Sequence, residues 1–204
     1  MGDQKFPRKT YSTPRHPWEK NRIDSEKIIL EKYGLKNKRE LWKSQSILEN
    51  YRTQARDLQA KLRTENPSAE KQFSLLINKL NRYSILSGGA NLDDVLSLNI
   101  ENVLERRLQT VVYNRKLSGT VKQARQLITH GHITLNGRRV TIPGLIVERA
   151  LEDTIAFNPD SAVSDPDHPI RRVIDNSEEE ERPTPGIAAE EAGESPQQAG
   201  ESTE

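Results

Sequence analysis

The chain has 204 residues, with 31 Lys+Arg against 30 Asp+Glu, and the resulting net charge of +1 conceals a strong internal asymmetry. Ten acids and one base fall in residues 175–204, which leaves 30 bases against 20 acids, a net of +10, in residues 1–174 and calls for an anionic partner. A hydrophobic content of 33% is thin for one core spanning the chain, and the absence of cysteine removes disulfides, thiolate zinc sites and catalytic thiols.

Residues 1–22 read as a basic extended arm. Lys5, Arg8, Lys9, Arg15, Lys20 and Arg22 stand against Asp3 and Glu19, and Pro7, Pro14 and Pro17 forbid a continuous helix. Phe6, Tyr11 and Trp18 are its large anchors, so the arm is expected to become ordered only by lying on something else. It carries no apolar signal-type stretch, and Phe6 occupies the position where myristoylation needs Ser or Thr. No run approaches the ~20 apolar residues of a membrane span, so a soluble, cytoplasmic protein is expected.

Residues 23–99 read as a helical region. Asp24 or Ser25 is expected to cap a short helix running to Lys32, with Gly34 as its terminator. Asn37 followed by Glu40 resembles a capping box, opening a longer helix whose stripe is Leu41, Leu48, Tyr51, Ala55, Leu58 and Leu62. Asn66-Pro67 ends it. A third helix, from about Ser68 to Tyr83, carries Phe73, Ile77 and Leu80 on one face before Gly88-Gly89 breaks the chain. The apolar stretch Asn91 to Leu98 has no firm assignment.

Residues 100–158 combine helices with a small sheet. One helix is expected from about Ile100 to Lys116, bearing Val103, Leu104, Leu108, Val111 and Val112. After Ser118-Gly119, Thr120 and Gln123 form a second capping box for a helix from Val121 to His130, ended by Gly131. Ile133 to Leu135, Asn136-Gly137 and Val140 to Ile142 spell a β-hairpin, and Thr154 to Phe157 a last strand. Residues 159–174 read as a linker or extension. Residues 175–204, with Ile187 as their one large apolar residue, read as a disordered acidic tail. The fold class is α+β: a helical N-terminal region with a basic arm, then two helices packed on a short twisted sheet.

The densest constellation of bases lies between Leu104 and Val140. Arg106, Arg107, Arg115 and Lys116 belong to the first helix or its end, Lys122 and Arg125 to the second, and Arg138 and Arg139 follow the hairpin turn. Thr120, Gln123 and Gln126 sit near a helix start, where free N–H groups and the dipole favour phosphate. The bland alternative is a solvated basic face, weakened by the presence of Glu105 as the only local acid. His130 and His132 form a His-x-His pair, but without a carboxylate cluster a surface or RNA contact is favoured over a metal. His16 and His168 lack a nucleophile partner, and no phosphate-binding or dinucleotide loop appears. No catalytic residue, metal or cofactor is therefore expected. Trp18 is divided evenly between base stacking and packing, and Trp42 is read mostly as core.

Leu104-Glu-Arg-Arg-Leu108, Thr120, Ala124-Arg-Gln-Leu-Ile128, Gly131, Ile133 and Asn136-Gly137 closely resemble the S-four RNA-binding domain. That resemblance implies RNA contact by Arg107, Thr120, Arg125, Gln126, His132 and Asn136, with Leu104, Leu108, Ala124, Leu127 and the glycines as structure. Upstream, residues 5–15, Pro17-Trp-Glu-Lys20 and Tyr33 to Trp42, with Lys36, Lys38 and Arg39 among the candidate contacts, look like the ribosomal S-four family of archaeal and eukaryotic type. The resemblance covers roughly residues 5–160. It implies a monomeric, non-enzymatic constituent of the small ribosomal subunit, held on small-subunit rRNA at a multi-helix junction. It further implies early entry into assembly, a place near the messenger entry side beside the fifth small-subunit protein, and an influence on decoding accuracy. The acidic tail lies outside the family pattern. The rival reading is an RNA-modifying enzyme or other RNA-binding factor that borrows the same domain; an enzyme is left with only the helical segment 23–86 for a catalytic domain, and that segment offers no methyl-donor loop or sheet.

Overall fold

A computed structural model describes residues 9–64, 66–165 and 167–171. Among the described residues, eight α-helices and a three-stranded antiparallel sheet are distributed over two packed units. Among the described residues, no helix is long and apolar enough to cross a membrane. The expected acidic tail, and the arm's Lys5 and Arg8, lie outside the described residues.

Helix α1, Lys20–Lys32, begins earlier than Asp24 or Ser25 would have it, directly after Glu19. Lys20 and Arg22 are therefore helical rather than parts of an extended arm. The helix begins as soon as the last proline, Pro17, is behind it, and the Ile23 N–H closes its first turn on the Glu19 carbonyl at 3.1 Å. Helix α2, Lys38–Arg63, starts at Asn37, whose side chain accepts from the Glu40 N–H at 3.2 Å. Only half of the expected box forms, because the Glu40 carboxylate is engaged elsewhere. Of the predicted stripe, Leu41, Leu48, Tyr51, Ala55 and Leu58 are buried, joined by Ser44, while Leu62 is half-buried. Helix α3, Pro67–Arg82, packs back on α2, and the unassigned stretch after it is helix α4, Leu92–Ser97, whose Asp94 carboxylate accepts from the Asn91 N–H at 2.7 Å.

The single helix expected over 100–116 is two: α5, Ile100–Glu105, and α6, Leu108–Asn114. Arg107 between them is extended, at φ −72° and ψ 141°, and bridges to Ile146. The segment around Ile146 takes the hydrogen bonds that would have continued the helix. Leu108 N–H donates to the Leu145 carbonyl at 2.7 Å, and Val147 N–H donates to the Arg106 carbonyl at 2.9 Å. The same excursion shortens the hairpin. After β1, Ile133–Leu135, and the Asn136-Gly137 turn, β2 is only Arg138–Arg139, and Ile142 lies exposed outside the sheet. Strand β3, Ile155–Phe157, pairs on the other edge of β1, giving the order β2-β1-β3.

The helices α2 to α5 bury one core, with Leu48, Ala55, Leu80, Val95 and Val103 at its centre. Helices α6 and α7 (Val121–His130) bury a second with the sheet, from Leu108, Val112, Ile128, Ile133 and Ile155. Helix α5 thus belongs to the first core, and the boundary between cores falls at Arg106–Arg107 rather than at residue 99. A small third cluster, Tyr33, Leu35, Leu41 and Leu104, ties α1, α2 and α5 together. Residues 159–165 and 167–171 fold back on the second unit instead of leaving as a linker: Val163 is buried there, and the Arg171 guanidinium lies 5.0 Å from the Phe157 ring centre.

Candidate nucleic-acid interface

The second core brings the Arg-rich motif against the start of α2, and one carboxylate meets it. Gly34 (φ +56°) makes this approach possible: a Cβ there would stand 3.0 Å from the Gln109 amide nitrogen and 3.1 Å from Val121. Gln109, buried on α6, donates to the Gly34 carbonyl at 3.0 Å. Beside it, Glu40 accepts from Arg107 at 2.8 Å and from Arg125 at 2.6 and 3.1 Å. Burial pushes the Glu40 carboxyl up, but hydrogen bonds and charge from Arg125 and Arg107 outweigh it and hold the group below the usual carboxylate range. Burial likewise pulls the Arg107 guanidinium down against the attraction of Glu40. Arg107, an expected RNA contact, is only 5% exposed, its side chain enclosed between the two units. Arg125 is turned toward Glu40 and Gln109 rather than outward. Glu40 thus joins two of the arginines whose pattern suggests RNA ligands.

A second carboxylate organises the arm. Glu26 on α1 is 7% exposed and receives Arg22 at 2.6 Å, Lys38 at 3.0 Å and the Trp42 indole N–H at 3.2 Å. Burial raises the Glu26 carboxyl, while the bonds from Lys38, Trp42 and Arg22 lower it further, with a net shift downward. Arg22 also donates to the His16 and Pro17 carbonyls, at 2.9 and 3.0 Å. Tyr11 stacks on Trp42 with ring centres 6.3 Å apart, and Ser12 N–H donates to the Ser46 hydroxyl at 3.2 Å. Tyr11, Ser12, His16 and Pro17 thus hold the described part of the arm to α1 and α2. Trp42 is half-buried and hydrogen-bonded rather than core.

Two further expected contacts are paired with acids of the second unit. Arg106 pairs with Glu152 at 3.0 Å, and Arg115 donates to the Glu152 carbonyl and to Asp153. Thr120 caps α7 by accepting from the Gln123 N–H at 3.1 Å, but Gln123 returns to the Gly119 N–H at 2.9 Å, one residue before the position the box predicts. His132 Nδ1 sits 2.6 Å from the Ser161 hydroxyl; burial first, then the charges of His130, Arg139 and His168, lower its pKa. His130 and His132 rings are 6.2 Å apart, and among the described residues no group of three candidate ligands could hold a metal ion.

What remains at the surface forms a coherent set. Lys122, Gln126 and His130 recur at helical spacing along the outer side of α7 and are all exposed. Asn136 (φ +50°), Arg138 and Arg139 are exposed at the hairpin, where Arg139 reaches back to the His130 carbonyl at 3.1 Å. Lys36 and Arg39 are exposed at the start of α2, next to the Glu40 joint, and Lys9, Arg15, Lys20 and Lys116 are exposed beyond it. Lys43, one turn after Arg39, extends this set; its i, i+4 spacing was the signal the sequence offered for it.

This division matches the way known families partition the chain. The model described as ribosomal protein S4/S9 N-terminal domain covers residues 5–105, and that of the S4 domain covers residues 106–155. Small ribosomal subunit protein uS4 of Picrophilus torridus is 62% identical over 181 residues, 89% of this chain and 99% of the relative. The chain belongs to the uS4 family. The uS4 protein of Thermoplasma volcanium is 56% identical over 197 residues, 95% of this chain and 98% of that one. The uS4 protein of Methanococcus maripaludis is 50% identical over 179 residues, covering 87% and 99% respectively. Where the two family models meet, at residues 105 and 106, the chain leaves the first core through Arg107 and enters the second.

Proposed function

We infer that the protein is a structural, non-catalytic constituent of the small ribosomal subunit that grips folded small-subunit rRNA and acts in the cytoplasm as part of the ribosome. The near-complete coverage of relatives named small ribosomal subunit protein uS4 carries this reading. Folded rRNA is recognised through shape, phosphates and 2′-hydroxyls, which suits a rigid surface studded with cations. The contacts are assigned to the exposed set: Lys122, Gln126 and His130 on α7, Asn136, Arg138 and Arg139 at the hairpin, and Lys36, Arg39 and Lys43 on α2. Arg107 and Arg125 act through Glu40, by fixing the angle at which α2 and α7 present those groups. A frame of fixed angle can hold several rRNA helices at one junction, which fits early entry into assembly. Its protein neighbours are other small-subunit proteins, the fifth among them, and an influence on decoding accuracy would pass through such an interface. An RNA-modifying enzyme is the weaker reading, since the relatives matched end to end carry a ribosomal name. Hydroxyl-radical footprinting on small-subunit rRNA tests the proposal: protection gathered at one multi-helix junction supports it, and scattered or absent protection refutes it.

A further inference from the structure

Trp18 is 90% exposed, the most exposed of the large hydrophobic side chains among the described residues. Yet its backbone is among the best-held parts of the arm. Pro17 fixes the φ before it, and the Glu19 carbonyl after it accepts from the Ile23 N–H at 3.1 Å in the first turn of α1. The carbonyls of His16 and Pro17 are both clamped by Arg22, which is itself gripped by the buried Glu26. The chain's other tryptophan shows what the fold does with an indole it needs: Trp42 donates its N–H to Glu26 and stacks on Tyr11. Trp18 has neither kind of contact among the described residues.

We propose that Trp18 is a platform on which one unpaired base of RNA stacks. This rests on the rRNA-binding reading and adds to it a ligand class and a residue. Every base offers a π-face, so an indole held in the open accepts it without sequence preference. The surroundings favour a polyanion over an apolar protein surface. Arg15 and Lys20, three residues before Trp18 and two after it, are exposed and have no acid partner among the described residues, although Glu19 beside Trp18 contacts Arg22 at 3.8 Å. The Glu26 clamp also holds Lys38, at the start of α2. Because the backbone is fixed before RNA arrives, stacking orders little beyond the ring's own rotamers.

The test uses the full chain, its Trp18→Phe and Trp18→Ala variants, and tryptophan emission as well as affinity. Small-subunit rRNA and oligoadenylate should quench the wild-type emission, a blunt RNA duplex should not, and Trp18→Phe should lose most of the quenching. Trp18→Ala should weaken rRNA binding about tenfold and Trp18→Phe should recover most of it, consistent with the worth of one base–aromatic stack. Equal rRNA affinity for wild type and Trp18→Ala, with emission unmoved, overturns the platform while leaving rRNA binding intact. Equal quenching by the duplex overturns it too. Unchanged rRNA affinity combined with poorer retention of Trp18→Ala in reconstituted subunits means the ring docks on a neighbouring protein, which also overturns it. Failure of the wild-type protein to bind rRNA removes the functional reading and the platform together.

Discussion

Replacing Glu40 by Ala removes the acid partner of both Arg107 and Arg125. Arg125 can turn toward water, since about a fifth of its side chain is exposed (21%), but Arg107, at 6%, cannot. Breaking a buried pair by deleting one partner costs about 3–5 kcal/mol, because the remaining charge stays buried. For a chain of this size each kcal/mol shifts Tm by roughly 2–4 °C, so a drop of about 6–20 °C is expected. Arg125→Ala leaves Glu40 held by Arg107 and should cost less, about 1.5–3 kcal/mol, the range for hydrogen bonds to charged groups. Urea titrations followed by circular dichroism, with rRNA affinity measured where each variant is fully folded, separate stability from binding. A double-mutant cycle over Glu40 and Arg125 should show coupling above about 0.5 kcal/mol, since the two are in contact. An Arg125→Ala protein of unchanged stability that binds rRNA much more weakly would refute the joint and restore Arg125 as an RNA ligand.

Acid should unfold the protein through both organising carboxylates. Glu26 and Glu40 titrate below their unfolded value, so their stabilisation is complete above about pH 4.3 and is lost as pH falls through the lower folded values, as an acid titration of ellipticity will show. His132 acts at higher pH. Its folded pKa is lowered, so stability should decline as pH falls below about 6.5 and level off beneath the folded value, a slope that His132→Asn should remove. Leu127→Ala, in the second core, should cost about 2–5 kcal/mol in denaturant with no loss of rRNA affinity once folded. Lys122→Glu should do the reverse, weakening rRNA binding in a gel-shift assay while changing stability by less than about 0.5 kcal/mol, as an exposed substitution does.

Local chemistry was legible and long-range chemistry was not. Asn37, Thr120, Gly131 and the Asn136-Gly137 turn act within a few residues of themselves, and the structure uses each as its type demands. The stripe of α2 was equally readable, because a helical face follows from spacing alone. The break between α5 and α6 was not: Leu104, Leu108, Val111 and Val112 fit one continuous stripe, and only the arrival of residues 143–147 takes the backbone hydrogen bonds away. Strand β2 stops at Arg139 although the β-branched Val140 to Ile142 suggest its continuation, and only the Val140 N–H still donates to the Ile133 carbonyl, at 3.1 Å. The arginines were the hardest to read. Arg107 and Arg125 look like surface cations in their own sequence neighbourhood, and the acid that claims them lies 67 and 85 positions away. Glu26 was hidden for a related reason, since a single Glu on a polar helix gives no sign that an arm, a lysine and an indole converge on it.

The division of bases between a buried frame and an RNA face is tested most directly by the salt dependence of rRNA binding. Arg39, Lys122 and Arg138 are exposed and have no acid partner among the described residues. If each neutralises a phosphate, replacing all three by Ala should make the log–log salt slope shallower by about 2 to 3, at roughly 0.7–0.9 per contact. The folded Arg125→Ala protein should keep the wild-type slope. A triple variant with an unchanged slope, or an Arg125→Ala protein whose slope falls by about one contact, would contradict the assignment.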